Sequence, residues 1–324
     1  MVAVTRFFTF TAGFGLFAWL SLGAFAQSGS ESLAVLEVQP NFYMISGAGG
    51  NIAVQVGIDG VLLVDAGSAG MSDQVLAAIR KLSPLPVRFV IDTCADADHV
   101  GGNEKLAHSP GAAPPGSGAA AEAGGAIIVS SENVLNRMSA PSGKQAAYPL
   151  AAWPTETFFV KQKPLYFNHE GIQVIAEPAA HSDADSIVFF RRSDVIVAGE
   201  IINPARFPVI DVGHGGSIQK EIDALNQIIE LAIPSIPMMW QEGGTYVIPG
   251  HGWVLDQADV VEYRDMVTII RDVIQDMIHK KMTLEQIKAA NPTQGYRKQY
   301  GSESGPWTTD MFVEAVYKSL TAAH

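Results

Sequence analysis

The sequence predicts a layered α/β protein. Three observations carry that expectation: strand-like and helix-like segments interleave in both halves, no short-period repeat is present, and 48% of the 324 residues are hydrophobic against 17% charged. Interleaved elements bury their apolar faces by stacking helices on sheets. This composition supplies a sizeable core and excludes general disorder. Residues 27–324 read as one domain.

From residue 41, apolar runs at 42–46, 51–56 and 61–65 alternate with turn residues, and Asp59-Gly60 before the third run is a hairpin signal. Val75, Leu76, Ile79 and Leu82 predict a helix over 71–82 packed by one face and stopped by Pro84 and Pro86. A continuous apolar strand, 87–91, runs straight into the polar string 92–103. Such a strand-to-loop passage is a common location for chemistry. Residues 108–126, rich in Pro, Gly, Ala and Ser, read as a flexible insertion.

Beyond the insertion the pattern gives a strand at 127–129, a helix at 132–138, and strands at 165–168, 172–176, 187–191 and 195–198. A helix at 217–232 and a strand at 246–248 follow. Helices at 258–280, 283–290 and 308–320 make 258–324 a helical C-terminal extension.

The first 26 residues differ from the rest: Arg6, an apolar run over 7–22, then Ala24-Phe25-Ala26 before Gln27. This is the pattern of a secretory signal peptide with an A-x-A cleavage site, and it places the protein in the periplasm or outside the cell. An uncleaved anchor is the alternative; after cleavage no stable membrane insertion is expected, since no other run reaches spanning length. Lys and Arg total 21 against 33 Asp and Glu, a net charge of −12. That balance lacks the positive field that tracks a phosphate backbone, so no nucleic-acid partner is expected. With Cys94 as the single cysteine, an intramolecular disulfide is impossible and the core must hold the fold alone.

Positions 92–99, Asp-Thr-Cys-Ala-Asp-Ala-Asp-His, bring together one thiol, three carboxylates and one imidazole. If the segment is extended, Cys94, Asp96 and Asp98 point the same way, and His99 opens the following helix. Three later positions follow predicted strands: His181 in Pro-Ala-Ala-His-Ser-Asp, Glu200 in Val-Ala-Gly-Glu, and His251 in Pro-Gly-His-Gly. Loops at these points converge on one sheet end.

This order of motifs resembles the metallo-β-lactamase superfamily of metallohydrolases. Members carry an H-x-H-x-D-H loop, a third His after a Pro-containing turn, an acidic residue after a strand and a last His in a P-G-H-G turn. The resemblance runs from the 61–67 strand, ending in Asp65-Ala66-Gly67, through the turn at His251. It implies an αββα sandwich with metals at the edge between its sheets. It also implies that Asp98, His99 and His251 ligate a second metal site and His181 a first, with Glu200 where the family has a bridging Asp.

Cys94 and Asp96 stand where the family has its first two histidines. Either Cys94, Asp96 and His181 form a three-ligand zinc site with an open position, or the first site is empty and one metal sits at Asp98, His99 and His251. Asp65, Asp92, Asp183 and Asp185 read as supporting loop groups; His108, His169, His214, His279 and His324 read as surface or structural. The resemblance implies hydrolysis of a carbonyl or ester-type bond (lactam, thioester or ester) in a small-molecule substrate. One or two Zn²⁺ would lower the pKa of water to about 7, and Asp98 would orient that water or move its proton. The altered loop keeps two rivals open: a catalytically degenerate metal-binding protein and an iron-dependent oxidoreductase, oxygen ligands suiting harder ions. The oligomeric state is not encoded.

Overall fold

The computed structural model describes residues 33–116, 124–235 and 243–322. The expected signal peptide, 1–26, lies outside the described residues.

Alternation along each strand builds the layers. The chain opens with β1 (Ala34–Gln39), β2 (Phe42–Ala48), β3 (Gly50–Gly57) and β4 (Gly60–Val64), then α1 (Ser72–Leu82), β5 (Val87–Ile91), α2 (Ala97–Val100), α3 (Asn103–Ala107) and β6 (Ile127–Ser131). After α4 (Glu132–Ser139) come the small hairpin β7 (Pro141–Ser142) and β8 (Gln145–Ala146), and β9 (Glu156–Phe158). The first sheet has the order β1-β2-β3-β4-β5-β6-β9, antiparallel as far as β4 and parallel from there. The second follows as β10 (Gln162–Phe167), β11 (Glu170–Ala176), β12 (Ser186–Phe190), β13 (Val195–Gly199) and, after α5 (Ile218–Leu231), β14 (Tyr246–Pro249). Those five strands are neighbours in chain order, with β13 and β14 parallel.

On β4, Leu62 and Val64 face the second sheet, packing with Val188, Phe190 and Val197, whereas Val61 and Leu63 face outward onto Val75 and Ile79 of α1. On β13, Val195 and Val197 join the core between the sheets, and Ile196 and Ala198 turn to the helices. Period-two alternation with both faces apolar marks a sheet covered on both sides. The second sheet's outer cover is α5 together with α6 (Gln257–His279), α7 (Leu284–Ala289), α8 (Arg297–Tyr300) and α9 (Thr309–Thr321). Tyr263, Met266 and Ile270 of α6 and Phe312 and Val316 of α9 pack there with Ile196 and Val247. Helix, sheet, sheet, helix is the αββα sandwich, with the extension built into its fourth layer.

Four details depart from the sequence pattern. Strand β1 was not expected, because its Val35 and Leu36 are exposed and only pairing with β2 defines it. The short strand β9 and helix α8 are likewise held by packing. The described ends of the 108–126 segment are partly packed: Ser109, Ala112, Ala113 and Ala126 are buried, Ala126 N–H donates to Ala107 O at 2.7 Å, and Pro110, Gly111, Pro115 and Gly116 are exposed. Finally, residues 94–98 are not an extended strand. The Asp96 carbonyl accepts from the amides of both His99 and Val100 at 2.9 Å, so Asp96 starts α2 and Asp98 lies within it. Cys94, Asp96 and Asp98 therefore share no face. Among the described residues no helix is long and apolar enough to cross a membrane.

Candidate metal centre

The candidate site collects at the ends of β4, β5, β13 and β14. Asp65 follows β4 with a φ of 64°, a left-handed turn that Asp tolerates better than most residues. Its carboxylate accepts the Thr93 amide at 2.8 Å and the Thr93 hydroxyl at 2.8 and 3.0 Å. It also accepts His99 Nδ1–H at 2.8 Å. The loop after β5 is anchored further down, where Asn103 Nδ2 donates to the buried Asp92 at 2.9 Å.

His99, fully buried, turns its Nε2 to Glu200 Oε1 at 3.0 Å. The same oxygen lies 2.9 Å from His251 Nε2, which is 3.2 Å from Asp98 Oδ2. The turn carrying His251 is tied to the first sheet by Asn51: its amide donates to Gly250 O at 2.7 Å and its side chain to Pro249 O at 2.9 Å. A Cβ at Gly250 would stand 2.8 Å from the backbone oxygen of Gly199 and 2.7 Å from Glu200 Oε1, so a larger residue would displace the turn or the carboxylate. His181, in the turn after β11, binds Asp185 through Nδ1 at 3.3 Å and has Nε2 3.6 Å from Asp96 Oδ2.

Two groups of ligand-type atoms result, each within 4.8 Å internally: Asp98, His99 and His251, and Asp96, His181 and Glu200. Glu200 faces His99 and His251 as well, so one buried carboxylate spans both groups. Cys94 belongs to neither; it is buried, and burial, aided by the charges of Asp96, Asp65, Glu200 and Asp185, pushes its thiol well up. Of the two alternatives, the three-ligand set with Cys94 is not among the groups brought within 4.8 Å; Glu200 stands with Asp96 and His181 instead. A neutral buried thiol packs as a small hydrophobe, so Cys94→Ala should leave the metal stoichiometry unchanged and cost about 1 kcal/mol by thermal unfolding. Loss of one metal equivalent would restore the thiolate to the ligand set.

The donor set fits a divalent cation. Imidazole nitrogen and carboxylate oxygen are zinc ligands, and metal-binding histidines characteristically donate their other ring N–H to a carboxylate. Asp65 on His99 and Asp185 on His181 are placed for that role, each leaving Nε2 for the site. Burial opposes charge on His181, but the hydrogen bond and charge of Asp185 push it up to about 9. His251, also opposed by burial, is pushed up to about 9 by hydrogen bonds to Asp98 and Glu200. Burial would raise Glu200, yet its bonds to His251 and His99 hold it well below the usual range. Asp98 is lowered chiefly by His251. Arg206 also reaches Glu200, Nη2 to Oε2 at 3.4 Å, and so is tied to the site more than to solvent. Asn51 and Thr93, which set the loops, carried no signal readable from sequence.

The family model described as the metallo-beta-lactamase superfamily matches residues 46–251, more than half of the chain. This chain belongs to the metallo-beta-lactamase superfamily. Helices α6–α9 lie beyond the matched segment. Among solved structures, the fold is similar to the stereoselective inverting sec-alkylsulfatase Pisa1 from Pseudomonas sp., at 15% identity and a TM-score of 0.61 over 88% of this chain. The chain spans 50% of that enzyme's length. A metallo-beta-lactamase from Pontibacter korlensis aligns at 14% identity and a TM-score of 0.54, covering 73% of this chain and 99% of that one. The DIM-1 metallo-beta-lactamase aligns at 13% identity and 0.53, covering 73% and 97%. No curated protein matches in sequence.

Proposed function

We propose that this superfamily member is an exported, metal-dependent hydrolase of small molecules, cleaving a carbonyl or ester-type bond with one or two Zn²⁺. The observation that carries the reading is Glu200, buried between two groups of ligand-type side chains at one sheet edge. Export to the periplasm or beyond rests on the pattern of residues 1–26.

A divalent cation held by these groups would supply Lewis acidity and lower the pKa of water toward about 7. The chain's own residues do the rest. Asp65 and Asp185 fix the ring orientation of His99 and His181 by their hydrogen bonds to Nδ1. Asp98, partly exposed and held ionised chiefly by its hydrogen bond to His251, would orient the attacking water and take its proton. Glu200, ionised and buried, balances positive charge at the centre. The set of two imidazoles and one carboxylate at Asp98, His99 and His251 suits zinc. The more carboxylate-rich set at Asp96, His181 and Glu200 also suits a harder ion, which keeps iron in the assay.

The test combines elemental analysis of protein purified without chelator with a panel of lactam, thioester, ester and, given the alkylsulfatase likeness, secondary alkyl sulfate substrates. Expected are bound metal and turnover of at least one class, lost on chelation and restored by Zn²⁺. Bound metal without turnover of any class would favour the degenerate binding protein, and turnover indifferent to chelation would overturn the metal-dependent reading.

A further inference from the structure

A cavity of about 470 Å³ opens beside Asp96 and His181, walled on one side by the loop 209–213 and on the other by α9 and the residues just before it. Its α9 side, with Trp307 just before it, lies on the C-terminal extension, outside the segment the family model matches, whereas Asp96, His181 and the loop 209–213 lie within it. The loop is fixed to the His181 turn, with Asp211 N–H donating to His181 O at 2.8 Å and Asp183 N–H to His214 O at 2.9 Å. One wall of the cavity is therefore hydrogen-bonded to the turn that carries His181.

The apolar half of the lining is Val209, Ile210, Val212, Trp307, Met311 and Ala315; the rest is Asp96, His181, Asp211, Gly213, Glu314 and Lys318. Its charged members are paired off. Glu314 lies 2.8 Å from both Lys288 and Lys318, whose hydrogen bonds hold it down at about 2, and Asp211 is bonded to His214. Away from Asp96 and His181 the cavity thus offers an occupant apolar contact and little charge. Met311, Ala315 and Lys318 recur on one face of α9 and span about 10 Å along its axis. A volume within the usual range for ligand pockets, next to candidate reacting groups, is the common geometry of a substrate subsite.

We propose that this cavity receives a linear hydrocarbon chain of medium length, whose polar end lies at Asp96 and His181. As a substrate subsite the inference rests on the hydrolase reading; as a binding site it is separable. The test is calorimetric titration of the full chain, with and without Zn²⁺, by acetate, butyrate, hexanoate and octanoate. Expected is an affinity gain of about fourfold per added methylene, present in both metal states. Met311→Asp, at a position 42% exposed and so tolerant of change, should abolish that gain and keep the metal stoichiometry. Ala315→Leu, which narrows the cavity from the buried side, should cut octanoate binding more than butyrate binding. Octanoate binding no tighter than acetate binding, no octanoate binding at all, or a gain unaffected by both substitutions would overturn the proposal. Hydrolysis without chain-length dependence would sink the cavity alone; chain-length dependence without metal or turnover would sink the hydrolase reading alone.

Discussion

Glu200→Gln is expected to lower metal affinity at least about 100-fold and to abolish metal-dependent turnover, the largest single-residue effect in this protein. The side chain is 6% exposed and one of its oxygens lies 3.0 Å from His99 Nε2 and 2.9 Å from His251 Nε2. Glutamine keeps the volume and removes the charge that both groups share. Outer partners of metal sites already cost 10–100-fold when changed, and a carboxylate facing both groups should exceed that. The metal-free variant should also lose about 3 kcal/mol, because removing one partner of a buried ion pair leaves the other uncompensated. Glu200→Asp retains the charge one methylene short and should weaken metal binding less than glutamine does. Metal titration and thermal unfolding read both effects; wild-type stoichiometry and affinity in Glu200→Gln would remove Glu200 from the centre.

Metal-free protein is expected to lose stability as pH rises from 6.5 to 9, while metal affinity climbs over the same window. His181 and His251 are raised from 6.5 to about 9 in the folded chain by their carboxylate partners. A raised value means that the stabilisation is fully present below 6.5 and is lost as pH passes through about 9. For His181 the shift corresponds to something on the order of 3 kcal/mol. Glu200 acts in the opposite sense: its lowered value stabilises above the ordinary 4.5 and is lost as pH falls below it. The combined contribution of these three groups should therefore be greatest between 4.5 and 6.5. Zinc competes with the histidine protons, so affinity should rise by up to about tenfold per pH unit for each proton displaced. A melting temperature of chelator-treated protein that stays flat from 6.5 to 9 would contradict the paired-histidine arrangement.

The sequence by itself determined the layered α/β class, the strands at 87–91, 172–176 and 195–198, and the long C-terminal helices. Those segments have apolar periodicities strong enough to name their partners' side of the fold. The ligand-type residues were legible too, because the loop 92–103 and the turns at His181, Glu200 and His251 each follow a strand end. What tertiary structure alone decided is which of these residues meet. A period-two reading puts Cys94 with Asp96 and Asp98. The chain instead begins a helix at Asp96, whose carbonyl accepts two amides there, and Cys94 stays outside both groups of ligand-type atoms. Glu200 comes from the other sheet, 101 residues from His99, and the 470 Å³ cavity joins the turn at His181 to α9. Local pattern encodes the direction of each side chain along its own element; convergence between elements depends on packing two sheets face to face, a long-range contact that no window of the sequence contains.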